Sequence, residues 1–213
     1  WGWRDWQDFG NGCLGDFGCH ILDPVFTALQ IHKAPTHLVC TDHTGINEEV
    51  WPAQNVVKYD FPGTKFTEKD SFEIIWLDGG RRGNARGTHI PREIGLPSSG
   101  SLFHGTEGTM VLPHVGAPRL YPQEKFVGKI KEEASLDHYH GFIDGCLSGK
   151  QPSDGFDYAG PLTEAVLLGN IAVRHRDQKL EWNEDKMSLR SPTTDLSNWL
   201  TRDYRDGWEI KPV

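Results

Sequence analysis

The chain has 213 residues, 37% of them hydrophobic, enough for one substantial core and few for two domains. A net charge of -8 with no long run of Lys and Arg argues against a surface that holds nucleic acid or anionic membrane by charge, and no apolar stretch reaches spanning length. Its four cysteines form no C-x-x-C pair, so free, mostly buried thiols are expected, with a weak preference for a reducing compartment.

The chain opens on Trp1 rather than Met, which leads one to expect a preceding segment, and Trp1, Trp3 and Trp6 crowd its start. A Trp-rich edge packed on the domain is the simpler reading; an aromatic wall for a sugar ring, with Trp6 as a substrate contact, is the functional one. A helix is then expected to run to about residue 30, and its G-N-G-C-L-G-D-F-G-C-H-I-L-D stretch is the most informative part of the chain. At 3.6 residues per turn Leu14, Phe17, Ile21, Val25 and Leu29 form an apolar stripe, while Asp16, His20 and Asp23 gather opposite it. Residues three and four apart are neighbours, so both carboxylates are expected to reach the His20 ring and favour its protonated form. An imidazole poised in this way can give and take a proton, which makes His20 a candidate acid/base, with Asp16 and Asp23 as candidate site residues beside it and Asp23 kept as a substrate contact. Pro24 offers no N–H to the carbonyl of His20 and is expected to bend the helix there.

Strands are expected at residues 36–42, 55–61 and 71–77, the last two as antiparallel neighbours across P-G-T. Residues 78–101, rich in Gly, Arg, Pro and Ser, read as a long surface loop, in which Arg81, Arg82 and Arg86 are candidates to meet a substrate's phosphate or carboxylate. Solvated arginines are the commoner explanation; Arg82 is kept as the substrate-binding candidate. A tight turn entering a strand follows at residues 105–112, with residues 118–121 as its partner. Two helices are expected at residues 136–147 and 161–173, the second opening on Pro161, then a short strand at 179–182 and a polar tail anchored by Trp199, Tyr204 and Trp208. This order does not alternate regularly. It predicts an α+β domain with an open, mainly antiparallel sheet and helices packed on one face.

Two motifs need weighing. Gly10, Gly12 and Gly15 match G-x-G-x-x-G, yet the residues before them, W-G-W-R-D-W-Q-D-F, are not the buried strand that a dinucleotide fingerprint follows, so the match is read as coincidental. Asp137, His138 and His140 suggest a metal pair, but on a regular helix the two histidines lie about 160° apart and cannot share an ion. On a helix, only His138 is kept as a pocket residue. No G-x-S-x-G elbow or phosphate-binding loop is present.

The segment D-F-G-N-G-C-L-G-D-F-G-C-H-I-L-D-P-V-F, the later G-T-E-G-T-M, and F-D-Y-A-G-P-L-T-E-A-V-L-L-G-N-I-A-V-R ending in L-E-W-N together resemble the C-terminal domain of the Gfo/Idh/MocA oxidoreductases, the family of glucose-fructose oxidoreductase and inositol dehydrogenase. The likeness spans nearly the whole chain, and its most specific part is the G-x-L-G-D-x-G-x-H-x-x-D frame. It implies that residues 1–213 are a single substrate-binding and oligomerisation domain, paired in the family with an N-terminal Rossmann domain that binds NAD or NADP. It also implies that His20 removes a hydroxyl proton during hydride transfer, that Asp16 holds substrate or orients the imidazole, and that subunits associate through the open sheet. The family's glycine-rich cofactor loop and E-K-P lysine have no counterpart in this sequence, so this chain alone is expected to bind dinucleotide poorly and to be inactive.

Two other classes compete with a sugar or cyclitol dehydrogenase. One is a metal-dependent hydrolase or isomerase built on His138 and His140; the other is a non-catalytic sugar-binding or oligomerisation module.

Overall fold

The computed structural model describes residues 2–131 and 137–209, except the side chain of His138. A five-stranded antiparallel sheet forms the main layer, in the order β3-β2-β1-β7-β8, from β1 (His37–His43), β2 (Asn55–Pro62), β3 (Ser71–Leu77), β7 (Leu180–Asn183) and β8 (Ser188–Arg190). A separate three-stranded antiparallel sheet is made by β4 (Gly100–His104), β5 (Thr109–Pro113) and β6 (Arg119–Tyr121). The helices are α1 (Gly12–Leu29), α2 (His138–Ser148) and α3 (Phe156–Arg174). The chain is thus an α+β fold with antiparallel sheets, and no helix among the described residues is long and apolar enough to cross a membrane.

Strand alternation explains the main layer. Val57, Tyr59 and Phe61 of β2 are buried while Val56, Lys58 and Asp60 are not, and the directly opposed Leu38, Tyr59 and Leu180 lie on the buried face. Helix α1 meets this face through Phe26, whose ring stands edge-on to Phe61 at 5.6 Å. Helix α3 meets it through Gly169, where an added Cβ would lie 1.9 Å from the Tyr59 hydroxyl oxygen and 2.7 Å from Leu14 Cδ2. At the helix–helix crossing a Cβ on Gly18 would come within 3.1 Å of Val166, so two small positions let α1, α3 and the sheet share one core.

The buried face of α1 is Leu14, Gly18, Leu22, Val25 and Phe26. Phe17, Ile21 and Leu29 of the expected stripe are only partly buried, so the helix is turned by about 50° from the expected orientation at 100° per residue. The reason is the close contact at Gly18, which draws α1 onto α3 along the Gly18–Leu22–Phe26 side. As a result Phe17 sits at the margin, beside His20.

Other boundaries differ for identifiable reasons. Helix α3 starts at Phe156 behind an extended Gly155 and accommodates Pro161 in its interior, five residues later than its start, instead of opening on it. Strand β4 starts at the end of the expected loop and runs three residues past it, and β8 falls in the expected polar tail; both are short, and each is made by pairing with a neighbour, β4 with β5 and β8 with β7. The long loop that ends at β4 is not free surface: Ile90 is buried with Val111 and Tyr121 in a second small core, flanked by Ala85, Ile94 and Leu96. The cysteines are free, but Cys13 and Cys146 are exposed and only Cys40 is buried. Tail residue Trp199 is held by the Arg174 guanidinium, 4.6 Å from its ring centre.

Helix α2 forms as the pattern predicts, with the Asp137 carboxylate accepting the Tyr139 and His140 amide N–H groups as its N-cap. The expected start at residue 136 lies outside the described residues. Its apolar side, including Tyr139, Phe142 and Leu147, is exposed instead of joining the core.

Replacing Gly169 by Ala is expected to destabilise the domain by about 1–3 kcal/mol through overpacking against a rigid buried ring. Chemical denaturation of the double variant with Tyr59→Phe checks the cause: removing the hydroxyl should recover at least about 0.5 kcal/mol of that loss, and strict additivity would contradict the contact.

Candidate functional site

His20 lies on the exposed side of α1, opposite the Gly18–Leu22 contact side. The three-stranded sheet comes against this helix, with Ser101 Oγ donating to the Ile21 carbonyl at 3.3 Å. That contact brings the residue after β5, His114, to α1. The rings of Phe17 and His114 have centroids 4.8 Å apart, those of Phe17 and His20 5.5 Å, and those of the two histidines 5.9 Å in an edge-to-face arrangement. Both histidines are exposed, and among the described residues neither ring nitrogen is hydrogen-bonded within the protein. The result is an exposed cluster of three rings with open imidazole nitrogens.

The two carboxylates beside His20 go elsewhere than expected. Asp16 Oδ2 pairs with Arg4 Nε at 2.8 Å, and the Arg4 guanidinium also lies 4.8 Å from the Trp3 ring centre. Asp23 Oδ1 accepts the Tyr158 hydroxyl at 2.6 Å, and that phenol oxygen also lies 2.9 Å from Thr27 Oγ1. Neither carboxylate hydrogen-bonds the imidazole; helical spacing puts the three side chains on one side, but tertiary partners orient them. Partial burial and the adjacent Asp23 carboxylate push the Tyr158 phenol up to about 12, so it stays a donor and fastens the first turns of α3 to α1.

The other candidate residues are dispersed. Trp6 pairs by its backbone with Val50 and keeps a side chain that is 45% exposed, on the N-terminal segment that also supplies Arg4. That segment is pinned by Trp51 Nε1, which donates to the Gly10 carbonyl at 2.8 Å. Arg82 Nη1 donates to the carbonyls of Leu96 and Pro97 at 2.8 and 3.1 Å, so this nitrogen of the guanidinium staples the loop to itself. Arg81 pairs with Asp42 at 2.6 Å, holding that carboxyl below its ordinary range. The side chain of His138 lies outside the described residues, while His140 Nδ1 is 2.7 Å from the Asp137 carboxylate on a segment that is helical.

Arg4, His114 and Tyr158 are the residues that sequence reasoning missed. Tyr158 stands in the F-D-Y-A-G-P segment already singled out, but nothing in the spacing of Arg4 or His114 points to α1, because each arrives from a distant element.

The glycine frame is packing surface. A Cβ on Gly10 would lie 2.5 Å from the Arg4 carbonyl oxygen, and Gly12, at φ +63°, is covered by Trp51 at 2.8 Å, so this backbone is not open to a pyrophosphate. These residues do not fit a dinucleotide cradle. Among the described residues no group of three or more His, Cys, Asp or Glu is placed to hold a metal ion.

No protein-family model matches the chain, and no curated protein matches it either.

The Tyr158–Asp23 bond generates a prediction about the helix pair. Tyr158→Phe is expected to cost about 1 kcal/mol or less, since an exposed hydrogen bond to a carboxylate is lost. The phenol's raised pKa means that the folded state holds its proton where the unfolded chain has lost it, so this contribution is present below pH 10 and declines towards about 12. Denaturation from pH 9 to 12 should show the gap between wild type and Tyr158→Phe closing; a gap independent of pH would contradict the assignment.

Proposed function

We propose that this chain is the substrate-binding and acid/base half of an NAD(P)-dependent sugar or cyclitol dehydrogenase, with His20 as the group that takes the hydroxyl proton. The observation that carries the reading is an exposed imidazole on a helix anchored by the core, its ring nitrogens free of protein partners among the described residues, in a cluster with the Phe17 and His114 rings against which a small polyhydroxylated molecule could lie. The resemblance of the G-x-L-G-D-x-G-x-H-x-x-D frame to Gfo/Idh/MocA oxidoreductases supports the same role for His20 and Asp16.

In this reading a ring nitrogen of His20 accepts the proton of the substrate hydroxyl as the hydrogen on the same carbon leaves with its electron pair, so the C–OH becomes C=O; in reverse the imidazolium returns the proton. When bound, the nicotinamide accepts the hydride; a separate nucleotide-binding domain would hold the dinucleotide. Asp16, steadied by Arg4, accepts from a neighbouring substrate hydroxyl, and Trp6 on the same N-terminal segment offers a face for the sugar ring. Asp23 contributes indirectly, by fixing α1 against Tyr158.

Association of subunits through the open sheet belongs to the same proposal. The face away from the helices carries a row of ionisable residues, Glu73, Asp60, His37, Glu181 and Arg190, one on each strand, next to Ile75, which is 45% exposed. Glu73 and Asp60 already pair with Lys58 and Lys179 at 3.7 and 3.4 Å, so much of the charge is balanced within one subunit, which suits a two-fold pairing of the open sheet.

The test is turnover of the full-length protein against a panel of sugars and cyclitols with NAD+ and NADP+, read as formation of reduced nicotinamide. His20→Ala is expected to lower kcat by about 10²–10⁴-fold with any active substrate, and wild-type turnover in that variant would overturn the reading.

A further inference from the structure

Resting on the acid/base reading of His20, we infer that His114 is a second substrate-contacting imidazole and that the His20–His114 pair over Phe17 selects a neutral polyhydroxylated ligand over a phosphorylated or carboxylated one. The first support is how the pair is built. His20 belongs to α1 and His114 follows β5, and the elements are held together by the Ser101 to Ile21 hydrogen bond, while the His114 amide donates to the Ser99 carbonyl at 2.9 Å. Two elements far apart in sequence thus bring their imidazoles to one point, 5.9 Å between centroids.

The second support is hydrogen-bonding capacity. A neutral imidazole offers one N–H and one lone pair, and among the described residues neither ring uses its nitrogens within the protein, so the pair presents donors and acceptors together. Hydroxyl groups both donate and accept, and neighbouring hydroxyls on a ring are the ligand that satisfies such a set. Phe17, 4.8 Å from His114 and 5.5 Å from His20, supplies the apolar surface against which the C–H face of a sugar or cyclitol lies.

Charge decides between neutral and anionic ligands. The Arg4 guanidinium that reaches this side of α1 is paired with Asp16, and the Asp23 carboxylate is met by a phenol that stays neutral, so its negative charge is left uncompensated. A phosphate or carboxylate brought to His20 approaches the Asp23 carboxylate three residues on along α1, and like charges repel.

The experiment is ring ¹H–¹⁵N correlation spectroscopy of the histidines in this chain during titration with myo-inositol, D-glucose and glucose 6-phosphate at neutral pH. The His20 and His114 signals are expected to move together along one saturation curve with a neutral polyol, while the other eight of the ten histidines stay still. His114→Phe, which keeps a ring on Phe17, should weaken binding read at His20 by about three- to tenfold, and His114→Gln should restore part of it. Unchanged affinity in His114→Phe, or a His20 signal that moves while His114 does not, overturns the inference and leaves the His20 reading standing. Movement of His114 with a still His20 overturns the acid/base reading instead. Tighter binding of glucose 6-phosphate overturns the preference for neutral ligands, and the absence of any saturable shift overturns the site as a whole.

Discussion

The close approach of α1 to α3 over the five-stranded sheet is the constraint on which the rest of the molecule depends. It exists because Gly18 leaves room for Val166 and Gly169 leaves room for Tyr59 and Leu14, so that two helices and a sheet close over a single set of buried side chains. A Cβ at either glycine would push these layers apart, and well-packed interiors do not absorb such changes freely. The same contact sets the rotation of α1. With Gly18, Leu22 and Phe26 drawn inward, His20 must face solvent and Phe17 must lie at the boundary between core and surface.

The smaller sheet supplies what α1 lacks. It has its own core of Ile90, Val111 and Tyr121, and the long loop before β4 is folded onto it, with Arg82 holding that loop by two of its carbonyls. This gives β4 and β5 the rigidity to present His114 to the helix. The candidate site is therefore a junction in which one part faces outward because a helix is packed tightly behind it, and the other arrives because a small sheet rests in front of it. Arg4 and Tyr158 fasten the carboxylates on the flanks, so that neither carboxylate hydrogen-bonds the imidazole.

Much of this is legible in the residues. Runs rich in apolar residues mark β1, β2 and β3 to within a residue or two, and helical spacing marks α1 with its end near residue 30, because burial on one face imposes a period that the side chains must follow. The segments that escape are those whose structure is not encoded by their own period. Strand β4, five residues long, and β8, three residues long, take their form from a partner strand. Pro161 misleads because a proline is tolerated within a helix when tertiary packing holds the rest, as Leu162, Ala165 and Val166 do for α3. The apolar side of α2 carries the pattern of a core helix yet is exposed among the described residues, since a period states that a face is apolar and not what covers it.

By itself the sequence determined the secondary structure of the long elements, the α+β class, and the gathering of Asp16, His20 and Asp23 on one side of a helix, for these follow from local spacing along the chain. It also placed the glycines where a dinucleotide loop is imitated. Only the tertiary structure decided that those glycines are covered by Trp51 and the Arg4 backbone, that Asp16 and Asp23 turn to Arg4 and Tyr158, and that His20 shares its surroundings with His114. The physical reason is the range of the forces involved. Helical periodicity is set within a few residues, whereas an ion pair, a hydrogen bond or a ring contact goes to whichever group the packed layers bring within reach, and those layers come from segments up to 159 residues apart.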